Sequence, residues 1–313
     1  MEELYKRFRP KSFKDIIGQD SAVEILSNYI KRKSTPHFLL FSGPTGCGKT
    51  TLARIMAAKL GCGDNDLTEV NCASLKKPLN AVQDIQMHMG MKAVAGPCRV
   101  WILDEVQALS RTRFAQQALL KILEDTAEGA FFMLATTDPD KLIKAIRNRA
   151  TVIAVKFLGT KDMQTLLRSI SKKAGIDLSE ELEEAIIDAA EGSARQALVM
   201  LDSIIGLDDA DKQIDAIQKA SINHQGIMIA RTMFNPKATW KEMAEILKAV
   251  NEEPESLRLM ILAYSAKILL SGGKLAPRAD LIIQEFSDPF YDAGGKAQLI
   301  SGCWNVMSLK KGK

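Results

Sequence analysis

Two groups of residues in this sequence have the types and spacing for chemistry. The first runs Gly43-Pro44-Thr45-Gly46-Cys47-Gly48-Lys49-Thr50, with Thr51 after it. It fits G-x-x-x-x-G-K-[ST], the pattern of a phosphate-binding loop. Glycines let consecutive backbone N–H groups turn inward onto an anion. Lys49 brings a cation to the β- and γ-phosphates of a nucleotide, and the Thr50 hydroxyl is a hard oxygen suited to Mg²⁺. The second group is Asp104-Glu105, which closes the apolar run Val100-Trp101-Ile102-Leu103 and stands 55 residues beyond Lys49. Asp104 is expected near a Mg²⁺ held by Thr50, and Glu105 is expected to polarise an attacking water. Together the two groups point to phosphoryl chemistry on ATP.

Such a loop is credible only between a strand and a helix. An apolar run of strand length at 38–41 precedes it, and a helical pattern at 51–60 follows it. A helix starting near Lys49 aims its positive dipole end at the same anion. Upstream, residues 1–18 read as an arm too short for a core of its own. A helix is expected at 21–33, capped by Asp20. Further strands are expected at 67–72, 99–105, 131–137 and 151–157, with helices near 80–89, 112–124 and 142–146. This alternation predicts an α/β fold, a mostly parallel sheet covered by helices, with its ligand beyond the carboxyl ends of the strands. From Thr160 the strands cease, and helices are expected at 161–174, 179–191 and 193–207. A third helical region begins near Asp208, with helical spacing at 240–250, 254–270, 275–286 and 294–307 and a break at 288–291. The expected domains are 1–157, 158–207 and 208–313.

A length of 313 residues agrees with more than one domain. Hydrophobic residues at 46% and charged residues at 26% are those of a globular chain, which excludes a disordered or fibrous one. A formal net charge of +4 allows an acidic partner such as nucleic acid without requiring one. The five cysteines, Cys47, Cys62, Cys72, Cys98 and Cys303, include no C-x-x-C pair. Neither a zinc ribbon nor a disulfide framework is expected from them, and a reducing compartment is. The charged start MEELYKRFRPKSFKD is unlike a signal peptide, and no run of 18 apolar residues predicts a membrane span.

Two other features stand out. Arg195 falls in the first turn of a helix after Gly192-Ser193, an end where cations are disfavoured, which hints at an anion partner. The segment Met87-His88-Met89-Gly90-Met91 supplies methionines suited either to core filling or to an exposed docking surface.

With these residues in place, the sequence resembles the motor subunits of sliding-clamp loaders, within the AAA+ ATPases, over nearly its whole length. Phe8-Arg9-Pro10 with Ile16-Ile17-Gly18-Gln19 resembles that family's N-terminal signature. By this likeness Tyr5, Lys6, Arg7, Phe8 and Ile17 should border the adenine. Thr137, in Ala135-Thr136-Thr137-Asp138-Pro139, matches the family's first sensor. Arg195, in Gly192-x-x-Arg195-x-Ala197-Leu198, matches the second. Ala115-Gln116-Gln117-Ala118-Leu119 is similar to eukaryotic and archaeal small subunits, whereas residues 135–139 are closer to the bacterial motor subunit. The family's trans-acting arginine usually lies in Ser-Arg-Cys, and here the triplet is Asn148-Arg149-Ala150. Arg149 keeps the family spacing of 12 residues after Thr137 and has no acidic neighbour in sequence, so it is assigned as the finger, with Arg147 as its rival. The bacterial motor's cysteine-rich zinc insertion is missing. The compact chain and mixed signatures suggest a phage or other viral replication protein.

The resemblance implies an AAA+ parallel-sheet ATPase domain, a helical lid and an all-helical C-terminal collar. It implies a ring of about five clamp-loader subunits using ATP and Mg²⁺, a sliding clamp and primer–template DNA as partners, and no membrane. Asn71 should restrain the catalytic glutamate until DNA binds. Lys76, Lys77, Arg111 and Arg113 should face the ring's interior and contact DNA phosphates without reading sequence. The setting would be the bacterial cytoplasm, or a host cell if the protein is phage-encoded. Two other readings stay open: another AAA+ DNA motor (a branch-migration or initiator ATPase), or an ATP-dependent scaffold that barely hydrolyses. The helical character of 208–313 argues against the winged helix common in those motors. Intact Lys49, Asp104, Glu105 and Arg149 argue against the scaffold.

Overall fold

The computed structural model describes residues 2–207, 209–220, 224–236, 238–248, 250, 253–273, 275–290 and 294–308. The chain divides into two compact units, residues 1–217 and 218–313.

The first unit opens with α1 (Leu4–Arg7) and α2 (Asp20–Arg32), and then alternates strand and helix. β1 (Phe38–Ser42) leads to α3 (Lys49–Lys59), β2 (Leu67–Asn71) to α4 (Pro78–His88), and β3 (Arg99–Asp104) to α5 (Arg113–Glu124). β4 (Ala130–Thr136) leads to α6 (Lys144–Arg149), and β5 (Thr151–Ala154) closes the alternation. The strands form a 5-stranded sheet in the order β2-β3-β4-β1-β5 with parallel pairing throughout. Every strand therefore presents its carboxyl end on the same edge, where the glycine loop leaves β1 and the acidic pair leaves β3. Central strands are apolar along their length because both faces are covered, while the outer strand β2 is partly exposed.

Each face of the sheet has its own core. On one side Phe38, Trp101 and Phe132 pack under α4 and α5. Phe132 stacks on Phe38 with ring centroids 5.4 Å apart and on Trp101 at 5.0 Å. On the other side Phe41, Ile102 and Met133 pack against Leu26 of α2 and Leu52 and Met56 of α3. After β5 come α7 (Thr160–Ala174), α8 (Glu180–Ala190) and α9 (Ala194–Ser203). The boundary between the two units falls within α10 (Ala210–Ala220).

Three local expectations are corrected, each by a tertiary contact. Asp20 is not the cap of α2 but its first residue, and Gln19 takes the N-cap position without making a side-chain cap bond. The Gln19 carboxamide instead donates to the Lys156 carbonyl at 2.7 Å and accepts from the Lys156 N–H at 3.1 Å, fastening the arm to the sheet. β5 stops at Ala154 rather than at residue 157, because its neighbour β1 turns into the glycine loop; the last contact is Val155 N–H to the Ser42 carbonyl at 2.8 Å. The helix expected at 142–146 begins later and reaches Arg149. Buried Gln116 holds the preceding turn, donating to the Lys141 carbonyl at 2.9 Å and accepting from Ile143 N–H at 2.7 Å.

The second unit contains α11 (His224–Phe234), α12 (Trp240–Lys248), α13 (Pro254–Ser271), α14 (Ala276–Glu285) and α15 (Gly295–Ser308). α11 lies in a stretch for which the sequence offered no separate helix. Leu257, Ile261, Ile282, Phe286 and Cys303 form its core. The expected break falls between α14 and α15, over Asp288–Phe290, and Tyr291 lies outside the described residues. No described helix is long and apolar enough to cross a membrane.

One buried arginine ties this unit together. Arg258 meets Glu255 through two nitrogens at 2.8 and 2.7 Å, and donates to the Phe286 carbonyl at 2.7 Å. Glu255 also accepts from Phe290 N–H at 2.8 Å. The Arg258 hydrogen bonds, and then that backbone bond, hold the Glu255 carboxyl at about 2. An ordinary glutamate titrates near ~4.3, so the stabilisation is complete above that value and is lost as pH falls toward the folded one. The stability advantage of the native protein over Glu255→Gln should therefore shrink between about pH 4.5 and 3 in denaturant titrations. A pH-independent difference would show that Glu255 does not carry this linkage.

Candidate active site

The glycine loop is held from three sides. Its first residue, Gly43, donates its N–H to the Thr136 carbonyl at 3.2 Å, fixing the loop to β4. A Cβ on Gly43 would stand 1.9 Å from the Val155 carbonyl oxygen, so the close approach to β5 admits no side chain there. Gly46 has φ of +78°, and a Cβ on it would lie 2.3 Å from Ser193 Oγ at the start of α9. The buried Cys47 thiol donates to the Pro44 carbonyl at 2.8 Å, and burial raises its pKa, keeping it protonated. Lys49 is also buried and donates to the carbonyls of Gly43 at 2.8 Å and Pro44 at 2.7 Å. Burial pushes its ammonium below the usual lysine range, partly offset by the carboxylates of Glu105 and Asp104. The loop thus holds a poorly hydrated cation that gains from a phosphate.

The second strand end meets the loop directly. Thr50 Oγ1 donates to Asp104 Oδ2 at 2.7 Å, and Asp104 Oδ1 accepts from Glu105 N–H at 2.9 Å. Glu105 has φ of 51°, a left-handed backbone that non-glycine residues seldom adopt and that clusters at functional sites. A 3-10 turn over Val106–Arg111 follows. Gln107 in that turn donates through Nε2 to Glu105 Oε2 and to Thr137 Oγ1, the latter at 2.9 Å. Its Oε1 accepts from Thr136 Oγ1 at 2.8 Å. Beside this network the Cys72 thiol is pushed up to about 12 by burial, with the charges of Asp104 and Glu105 adding to the effect.

A cleft of about 380 Å³ opens over the loop. Tyr5, Phe8 and Ile17 of the N-terminal arm line one side of it, and Ile170, Arg195 and Leu198 line another. α1 packs on α9, so the arm and the later helices meet around the same space. Arg195 is anchored there: its N–H donates to the Gly46 carbonyl at 3.2 Å, and its guanidinium lies 5.5 Å from the Tyr5 ring centroid. Ser193 Oγ caps α9 by accepting from Gln196 N–H at 3.3 Å. An apolar and aromatic recess beside a cationic loop suits a nucleotide.

Most of the expected site residues converge here. Tyr5, Arg7, Phe8, Ile17 and Arg195 line the cleft, as do residues 45–51, Asp104 and Glu105. Gly43 and Pro44 lie just outside its lining and serve through their carbonyls. Lys6 is the exception, an exposed side chain paired with Glu3 at 2.5 Å rather than a cleft residue. Thr137 joins the site through Gln107, which the sequence reading missed; its only signal was an amide two residues beyond the acidic pair, flanked by apolar positions. Asn71 lies opposite Asp104 in the β2–β3 register, but its Oδ1 accepts from Ala73 N–H at 2.9 Å. Among the described residues no hydrogen bond joins it to Glu105.

The arginine assignment needs one correction. Arg149 has an acidic partner, Glu124, at 2.8 Å, and Arg147 pairs with Asp140 at 2.5 Å. The Glu124 partner of Arg149 is not visible in sequence, because α5 and α6 meet only in the fold. Arg149 sits at the end of a helix and precedes Thr151, which lies opposite Leu39 near the start of β1. It is therefore at the opposite edge of the sheet from its own glycine loop. Lys76, Lys77, Arg111 and Arg113 are exposed where α4 and α5, packed on each other, begin. The methionine segment is divided between core and surface: Met89 packs against the core, while Met87 and Met91 are 69% and 54% exposed.

Residues 39–158 match the family of ATPases associated with various cellular activities (AAA). The chain is 34% identical over 225 residues to the DNA polymerase III subunit gamma of Buchnera aphidicola, a match covering 65% of this chain and 61% of that protein. It is 32% identical over 235 residues to the DNA polymerase III subunit tau of Escherichia coli, covering 68% of this chain and 36% of that one. The chain thus spans less than two thirds of either relative. Its fold is similar to the Thermotoga maritima RuvB Holliday junction branch migration motor, with a TM-score of 0.56 at 20% identity over 80% of this chain and 84% of that one.

Since a Cβ at residue 43 cannot coexist with the Val155 carbonyl, Gly43→Ala should displace the loop. A misplacement of this kind costs up to about a hundredfold in a positioned site. Affinity for a fluorescent ATP analogue should fall more than about tenfold while the melting profile survives. Unchanged affinity would mean that the loop's seat against β5 does not shape the site.

Proposed function

We propose that this chain, whose residues 39–158 are an AAA ATPase domain, is the ATP-hydrolysing motor subunit of a sliding-clamp loader. The observation that carries this reading is the convergence of Lys49, Thr50, Asp104, Glu105 and Arg195 on one cleft, in a chain similar to DNA polymerase III gamma and tau subunits. The proposed organisation is an ATPase domain at 1–157, a helical lid at 158–207 and a collar at 208–313.

ATP binds with its base against Tyr5, Phe8 and Ile17 and its phosphates on the glycine loop. Lys49 bonds the β- and γ-phosphates, exchanging loop carbonyls for stronger anionic acceptors. The Thr50 hydroxyl and the Asp104 carboxylate, 2.7 Å apart, form a hard-oxygen pair that fits Mg²⁺. Among the described residues there is no cluster of three metal-binding side chains, which suits an ion that takes its other ligands from phosphates and water. Bound there, Mg²⁺ would neutralise phosphate charge. Glu105 accepts a proton from the attacking water, and Arg195 reaches the phosphates from the lid. Arg149, remote from its own loop, serves the ATP of a neighbouring subunit. Its exposed pair with Glu124 is worth only about 0–1 kcal/mol, so releasing it costs little.

Subunits assemble in the cytoplasm as a ring of about five through their collars. ATP binding grips the sliding clamp and primer–template DNA, and DNA contact triggers hydrolysis and release. Lys76, Lys77, Arg111 and Arg113 meet DNA phosphates, and Asn71, beside Asp104 in the sheet, contributes to restraint of Glu105 before DNA arrives. Residues 218–313 contain only helices among those described, which gives no support to a winged-helix motor.

The direct test is ATPase activity with and without primed DNA and clamp in the assembled loader. Both should stimulate the native protein, whereas Glu105→Gln should bind ATP normally and lose roughly a hundredfold or more in turnover. Near-normal turnover in that variant would remove Glu105 from the mechanism, and indifference to DNA and clamp would remove the loader reading.

A separate experiment addresses Arg149. Arg149→Ala should retain assembly and nucleotide binding yet lose several orders of magnitude in hydrolysis, as trans-acting arginines do elsewhere. Mixed with Lys49→Ala subunits, it should regain partial activity, because some junctions then combine an intact Lys49 with an intact Arg149. Verified mixed rings that stay inactive would transfer the role to Arg147 or to a cis contact.

A further inference from the structure

We infer that Gln107 is a positioning residue that couples Thr137 to Glu105, so that contact at the γ-phosphate and activation of the attacking water are set by one carboxamide. The inference rests on the proposed role of Glu105 and deepens it.

Both polar atoms of the carboxamide are engaged. Its two N–H donors are used by Glu105 Oε2 and by Thr137 Oγ1 at 2.9 Å, and its oxygen accepts from Thr136 Oγ1 at 2.8 Å. Its orientation follows from its neighbours. Thr136 Oγ1 already accepts from Asp138 N–H at 3.1 Å, so its own hydrogen is free for the amide oxygen. The reversed amide would set its oxygen against the Glu105 carboxylate, acceptor against acceptor. The backbone beneath is equally constrained, since Val106 and Leu109 on the same turn are fully buried and Thr136 is too.

Each contact has a consequence for the reaction. Because Thr137 Oγ1 accepts from Gln107, its own hydrogen points elsewhere and can be donated to a γ-phosphate. Glu105 sits at a left-handed backbone position, and among the described residues its carboxylate takes its hydrogen bond from Gln107. Oε2 of Glu105 is held by Gln107, and Oε1 has no hydrogen-bond partner among the described residues, which leaves it for water. A shift of Thr137 toward phosphate passes through a single rigid amide to the base. In this structure Asn71 keeps its oxygen on Ala73 N–H at 2.9 Å, and the hydrogen bond to the Glu105 carboxylate comes from Gln107.

Gln107→Leu replaces the carboxamide with an apolar side chain one bond shorter and removes all three hydrogen bonds. In the assembled loader with primed DNA and clamp, kcat should fall about tenfold or more, with the Kd for ATPγS within about threefold of native. In a Thr137→Val background the same change should cost less than about threefold, and in a Glu105→Gln background nothing further. Losses that simply multiply would overturn the coupling. A kcat equal to native would overturn it too, as would an effect confined to ATP affinity or melting temperature. If Gln107→Leu fails to fold, Gln107→Glu retains the acceptor for Thr136 while placing a second carboxylate against Glu105. It should fold and lose still more turnover, and full turnover there would refute the inference. The two readings fail differently: an active Glu105→Gln removes the base itself, whereas an inactive Glu105→Gln beside a fully active Gln107→Leu removes only the coupling.

Discussion

The 2.7 Å hydrogen bond from Thr50 to Asp104 joins two segments that are far apart in the chain, and the site depends on it. It can form only because β1, β4 and β3 are adjacent parallel strands whose carboxyl ends share one edge. A parallel sheet must be covered on both faces, and here α4 and α5 cover one while α2 and α3 cover the other. The stacked Phe38, Phe132 and Trp101 lock three neighbouring strands together beneath the site. Core packing and chemical geometry are therefore one constraint: a slip in strand register would part the hydroxyl from the carboxylate.

The electrostatics follow from burial. Lys49 is held among carbonyls in a setting that lowers its pKa, so the loop favours an incoming anion that replaces lost hydration. The carboxylates of Asp104 and Glu105 stand close enough to offset part of that shift. Burial keeps the Cys47 and Cys72 thiols protonated, so neither adds a competing charge. The arm and α9 enclose the space over the loop, and Arg195 bridges them through Gly46 and the Tyr5 ring.

Sheet polarity also separates roles. Thr137, Glu105 and Lys49 lie on the loop edge, while Arg149 lies on the other and is paired at the surface with Glu124. An exposed ion pair is a weak restraint, easily exchanged for a stronger anion. The basic residues at the starts of α4 and α5 are equally exposed, but they have no part in the cleft.

Much of this was legible in the sequence because it is local. The glycine loop, the apolar strand before it and the acidic pair after β3 each occupy a few consecutive residues whose types are dictated by backbone conformation and charge. Alternation of strands and helices up to residue 157 identified the parallel sheet, and helical spacing identified most helices beyond it. Gln107 was not legible, because its role depends on Glu105 and Thr137 meeting across two strand ends. Nor were the Gln19–Lys156 and Arg149–Glu124 contacts, which join segments 137 and 25 residues apart. The early end of β5 and the late start of α6 were likewise decided by neighbours, the turning of β1 and the hydrogen bonds of Gln116. Local composition sets which element a stretch can form and which chemistry it can carry. Where that element stops, and which polar group answers which, depends on what the folded chain brings beside it.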